Sequence, residues 1–177
     1  MTVTKKQFQT VELTTELAGR KISFETWKLA MQADSSIRLQ YGDNVLLFTT
    51  CMDKEPREGT DFLPLMIDYR ESYSAAGRIA WALYRRREWK ASEAATLYAR
   101  MSDRALRPMF PKGMINSIVI SVTPLALDHT MDMDVPNIIW SSVSIMAAGI
   151  PFDWPVGAVQ IWYKDGQFLV NPTREEL

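Results

Sequence analysis

The chain has 177 residues, 47% of them hydrophobic, enough to bury the core of one domain or most of one. Its formal charge of −1 and pI near 5.9 exclude a histone-like coat of positive charge. The lone Cys51 excludes an internal disulfide and fits a reducing compartment, and no run reaches the roughly 18 apolar residues of a membrane span. The N-terminus MTVTKKQFQT lacks the apolar stretch of a signal peptide, so a cytoplasmic protein is expected; an organelle form without its presequence would look the same.

The first part reads as strands. Thr10 to Thr15 alternates, Lys21 to Phe24 follows an Ala-Gly turn, and Ile37 to Gln40 leads through Tyr41-Gly-Asp into Asn44–Cys51. That last run, NVLLFTTC, is apolar and β-branched almost throughout and predicts a buried central strand in which Cys51 is inert filling. Phe62 to Tyr69 is a further strand. Tyr73 to Ala91 has no periodicity and predicts an exposed loop. From Ser92, placed as N-cap, a helix carries Ala94, Leu97, Tyr98, Met101 and Ala105 at helical period. Ile115 to Thr123 predicts another buried strand. A second helix over Val135 to Ala148 has Asp134 as N-cap and Gly149 as its stop, and is apolar almost all round, hence buried. Val156 to Tyr163 and Gln167 to Val170 flank Asp165-Gly166, a strong hairpin signal.

Charge is segregated along this order. Arg78 to Arg107 holds eight Lys or Arg against three acids, and the remainder holds twelve against eighteen. Rings interleave with the cations: Trp81, Tyr84, Trp89 and Tyr98 sit among Arg78, Arg85, Arg86, Arg87, Lys90, Arg100, Arg104 and Arg107. An arginine-rich run is in general a solvated face. Here Arg100, Arg104 and Arg107 fall at i, i+4 and i+7, and like charges aligned on one face gain nothing unless an anion binds them. Guanidiniums attract phosphates and rings stack on unpaired bases, so single-stranded nucleic acid is the expected partner.

Other chemistry is weaker. Asp128, Asp132 and Asp134 could hold Mg²⁺ through carboxylates, but the simpler duty is to cap and flank the second helix. His129, the single histidine, has no nucleophile in a recognisable motif beside it. Neither a dinucleotide nor a P-loop glycine pattern occurs.

The segments KEPREGTDFLPLMIDYRE, SAAGRI, YRRRE, ARMSDRALRPMFPKG, IPFDWPVGAVQI and DGQFLVNPT, in this order, resemble the first core domain of polynucleotide phosphorylases, within the ribonuclease PH superfamily. The similarity runs from about Val11 to the end. It implies an α/β domain of the α+β type, a ribonuclease PH-like βαβα fold: a mixed sheet with hairpins and two main helices, incomplete at its C-terminal end. Residues 1–177 would then be most of one domain of a longer chain. It further implies a phosphorolytic 3′-to-5′ exoribonuclease of mRNA turnover that assembles as a homotrimeric ring around a channel, with RNA-degradation complexes as further partners. Inorganic phosphate is the implied co-substrate and Mg²⁺ the implied cofactor of the whole enzyme, both acting mainly in a second core domain, so this segment would carry no catalytic residue and bind no metal. The resemblance assigns an aromatic-basic channel loop to Leu83, Tyr84, Arg85 and Arg86, with Arg87 as one insertion, and carries Arg100, Arg104 and Arg107 as RNA contacts.

The chain departs from the family pattern at its six tryptophans, Trp27, Trp81, Trp89, Trp140, Trp154 and Trp162, each standing where the family usually has glycine, and Ala80, Ala91 and Ala105 stand where many members have proline. Tryptophan at such places predicts backbone strain or an overpacked core, sharpest at Trp140. Two alternatives compete with the enzyme reading: a noncatalytic RNA-binding scaffold descended from the family, and a metal-dependent hydrolase built on Asp128, Asp132 and Asp134.

Overall fold

The computed structural model describes residues 10–17, 19–79, 91–128 and 130–177. Among the described residues eight strands and two α-helices follow in the order β1 (Glu12–Leu17), β2 (Arg20–Thr26), β3 (Ser35–Tyr41), β4 (Asn44–Pro56), β5 (Leu65–Tyr69), α1 (Glu93–Leu106), β6 (Asn116–Ala126), α2 (Asp134–Ala147), β7 (Ile161–Lys164) and β8 (Gln167–Val170). The first six strands form one sheet in the order β1-β2-β3-β4-β6-β5. Every pairing in it is antiparallel except β5 with β6, which run parallel on either side of α1. A parallel pair needs a long crossover, and the segment from Arg70 to Ile115 supplies it with α1 inside.

The predicted strands and helices all occur, with shifted ends. Turn chemistry explains the best matches. Asp165 and Gly166 both have positive φ, 51° and 81°, the signature of the I′ turn that closes β7 onto β8. Gly149 ends α2 with φ 72°, and the bond from the Ile150 N–H to the Ile145 carbonyl completes a left-handed C-terminal cap. Ser92 caps α1 as expected, its hydroxyl accepting from the Ala95 N–H at 3.0 Å.

One face of the sheet packs on the helices. Ile22, Ile37, Leu39, Leu46, Phe48, Ile118, Ile120 and Val122 alternate along their strands and meet Leu106 and Ile145, all almost fully buried. Each such side chain contributes roughly 1.5–3 kcal/mol. α2 departs from the expected all-apolar helix: Ser141, Ser142 and Ser144 are fully buried while Met146 is exposed. The Ser144 hydroxyl lies 2.7 Å from both Ser35 on β3 and Thr50 on β4, so a hydroxyl trio, not apolar contact alone, docks this helix on the sheet.

Four expectations are corrected. Cys51 is exposed, because it falls on the opposite parity of β4 from Phe48 and Thr50 and faces away from the helices. Asp134 is the first residue of α2 rather than its N-cap; Met133 holds that position, and the Asp134 carboxylate accepts from the Val135 N–H at 2.8 Å. The strand predicted from Val156 begins only at Ile161, since the Val156 N–H is taken by the Ser142 hydroxyl and the Gln160 N–H by the Asn171 side chain. The strand predicted from Phe62 begins at Leu65, after Pro64.

Trp140 is 6% exposed and stacks obliquely on Phe24 with ring centroids 4.7 Å apart, so the core takes it in. Its indole N–H has no partner among the described residues. Trp27 sits at φ 62°, the left-handed region that favours glycine.

Asn44 and Asp128 lock the start of β4 to the end of β6. The Asn44 amide donates to Asp128 at 2.8 Å and accepts from the Asp128 N–H at 3.0 Å. The carboxylate also accepts from the Thr130 N–H and hydroxyl. Burial acts to raise the Asp128 pKa, but the Thr130 and Asn44 hydrogen bonds outweigh it and hold the carboxyl below its ordinary value. A depressed folded pKa stabilises above the unfolded value, and that stability is lost as pH falls through the folded one. Asp128→Ala is therefore expected to cost about 2 kcal/mol in urea unfolding at neutral pH and to reduce the loss of stability on acidification. An acid limb as steep as the parent's would contradict this.

Candidate nucleic-acid interface

α1 presents two adjacent stripes to one side. Leu97 and Met101 are exposed four residues apart, and so are Arg100 and Arg104. The opposite side is held by Ala95, Ser102 and Leu106 in the core, and by Tyr98, whose ring meets Tyr69 of β5 edge-on at 5.5 Å. The Asn137 amide on α2 donates to the Tyr98 carbonyl and the Ser102 hydroxyl, fixing the rotation of α1 about its axis. This rotation decides which arginines face outward.

Because β5 is the sheet's edge strand, α1 is left with a groove beside it rather than a further strand. The groove has a volume of about 1030 Å³ and lies between Leu65, Met66 and Ile67 on one wall and Leu97, Arg100, Met101 and Arg104 on the other. Met66 is exposed, so the floor is apolar while the helical rim is cationic. Among the described residues neither Arg100 nor Arg104 pairs with a carboxylate. Burial, and then the charges of Asp132 and Asp134, push the Tyr98 phenol up; burial does the same to Tyr69. Both therefore stay neutral at physiological pH, and no phenolate opposes the cations.

Arg107 lines the same groove but differs from its two neighbours. Its guanidinium donates to both carboxylate oxygens of Asp103, at 2.6 and 3.1 Å, and to the Leu63 and Leu65 carbonyls at 2.7 and 3.4 Å. It thus ties the end of α1 to the start of the edge strand. The predicted stripe of three arginines is a pair of cations without a carboxylate partner among the described residues and one committed to the fold. The Asp103–Arg107 spacing of four residues was a usable signal for that pairing in the sequence; the two carbonyls were not.

Leu83, Tyr84, Arg85, Arg86 and Arg87, together with Trp81, Trp89 and His129, lie outside the described residues. The three aspartates are described, apart from one another in duty. Asp128 serves Asn44 and Thr130, Asp132 pairs with Arg174 at 2.9 Å, and Asp134 accepts from its own helix. Among the described residues no group of three carboxylate, thiol or imidazole side chains could hold a metal. Among the described residues these three acids, each engaged by other partners, do not form a Mg²⁺ site.

The sequence from 18 to 151 matches the family model of the 3′ exoribonuclease family, domain 1, the ribonuclease PH family. The chain belongs to this family. Curated relatives of this ribonuclease PH family chain are named polyribonucleotide nucleotidyltransferase. That of Hyphomonas neptunium is 39% identical over 96% of this chain, and that of Gloeobacter violaceus 45% identical over 90%. The chain spans 24% and 22% of the lengths of these two relatives. Among solved structures, rice Rrp46 superposes with a TM-score of 0.64 at 15% identity, covering 88% of this chain and 69% of that one. At that identity the likeness concerns the fold alone. It agrees with the ribonuclease PH-like α/β domain expected from the sequence.

Proposed function

We propose that this chain is the RNA-gripping first core domain of a phosphorolytic 3′-to-5′ exoribonuclease. The whole protein would transfer the terminal nucleotide of RNA to inorganic phosphate and release a nucleoside diphosphate. The observation that carries the reading is the outward pair Arg100 and Arg104, unpaired among the described residues and set above an apolar groove. Guanidiniums there would take successive phosphates, and Leu97, Met101 and Met66 offer apolar surface to bases, without groups arranged to read base edges. Family membership and the names of the relatives make RNA the polyanion of choice. The catalytic step, its phosphate and its Mg²⁺ belong to this proposal through a second core domain, as do a homotrimeric ring, RNA-degradation complex partners, a role in mRNA turnover and a cytoplasmic location.

The channel-loop assignment is tested separately. Arg85→Glu/Arg86→Glu is expected to weaken binding of a single-stranded oligoribonucleotide and to lower the slope of log K against log salt by about 1.4, two lost phosphate contacts at about 0.7 each. Fluorescence anisotropy at several salt concentrations reads both quantities. An unchanged affinity and slope would remove Leu83 to Arg87 from the interface and leave the groove to be judged alone.

A further inference from the structure

Asp103 is the one carboxylate among the described residues that line the arginine groove. It follows Arg100 by three residues and precedes Arg104 by one, and it is half-buried. An acid three residues from an arginine on a helix surface is within pairing distance of it. Left to itself, this carboxylate would neutralise Arg100 and present negative charge to an approaching phosphate. The structure shows it turned the other way, held by both sides of the Arg107 fork. The fork is in turn anchored outside the helix by the Leu63 and Leu65 carbonyls, so a swing of the carboxylate toward Arg100 would break both of its bonds to a guanidinium that cannot follow it.

We infer that Arg107 is a positioning residue for RNA binding: as the anchored counter-ion of Asp103, it keeps that carboxylate from pairing with Arg100 and leaves both outward arginines available to phosphate. This rests on the RNA reading of the groove. It differs from a role for Arg107 as one more phosphate contact, which its four hydrogen bonds to protein acceptors leave little capacity to fill.

Four variants of the chain, titrated with a labelled oligouridylate across a salt series after a thermal-melt check of folding, separate these roles. Arg107→Met is expected to weaken binding about fivefold, and Asp103→Asn/Arg107→Met to return it to within about twofold of the parent, at the parent's salt slope. A double variant as weak as Arg107→Met, with a slope about 0.7 lower, would overturn the inference and make Arg107 a direct phosphate ligand. If Arg107→Met does not fold, Asp103→Asn alone decides. It keeps the carbonyl anchors and removes the acid, so affinity is expected to hold or rise, and a loss would refute the counter-ion role. Arg100→Gln separates the two levels. No change in that variant defeats the RNA reading itself, whereas weakened binding there, with Arg107→Met not rescued by Asp103→Asn, defeats only the inference about Arg107.

Discussion

Arg100→Glu/Arg104→Glu is expected to lower affinity for single-stranded RNA roughly 100-fold at low salt, from two charge-assisted contacts worth about 1.5 kcal/mol each. Both side chains are exposed and without a carboxylate partner among the described residues, so their removal breaks no ion pair there. The loss should therefore appear in binding and not in stability: melting temperature is expected to stay near the parent's. Four residues separate the two positions, about 6 Å along the helix axis, and both sit on the same rim. The salt slope should fall by about 1.4, again two phosphates at about 0.7 each. Anisotropy titrations with single-stranded and duplex RNA of equal length provide the readout. Unchanged single-strand affinity, with the fold intact, would remove this groove as the place where RNA is held.

The second large effect is on stability and concerns two tryptophans of opposite character. Trp140→Ala is expected to cost about 3–5 kcal/mol, because its ring packs on Phe24 and the bonds of the Ser144 hydroxyl to Ser35 and Thr50 hold α2 against collapse into the gap. Trp140→Phe keeps most of that volume and removes the indole N–H that lacks a partner among the described residues, so it is expected to cost under about 1 kcal/mol. Trp27→Gly is the contrast. Its backbone lies at φ 62°, where an L side chain costs about 1–2 kcal/mol and glycine does not. Deleting this half-buried ring is expected to change stability by less than about 1 kcal/mol, since relief of strain offsets lost contact and a freer unfolded chain. Denaturant titration of the three variants checks the order. A Trp27→Gly loss as large as that of Trp140→Ala would show that the left-handed backbone carries no strain.

What could be read without coordinates was what neighbours in the chain decide. The Ser92 cap, the Gly149 stop and the Asp165-Gly166 turn depend on backbone angles and hydrogen bonds within a few residues, and each lies where its residue types placed it. The nearly continuous apolar and β-branched run from Asn44 to Cys51 marked a central strand for the same reason. The concentration of cations between Arg78 and Arg107 was equally plain, and the order of segments was enough to name the family.

Only the tertiary structure decided which of those cations are available. Arg100, Arg104 and Arg107 are alike in type and spacing, yet Arg107 is committed by carbonyls 42 and 44 residues away, brought near when β5 takes the sheet edge beside α1. Cys51 faces outward, and three serines of α2 lie inward, for a related reason: strand parity and helix rotation are set by partners across the fold, the hydroxyls of Ser35 and Thr50 among them. Local chemistry specified the elements and the charge. The long-range contacts that rotate α1 and turn Asp103 toward Arg107 determined where that charge is open to a phosphate.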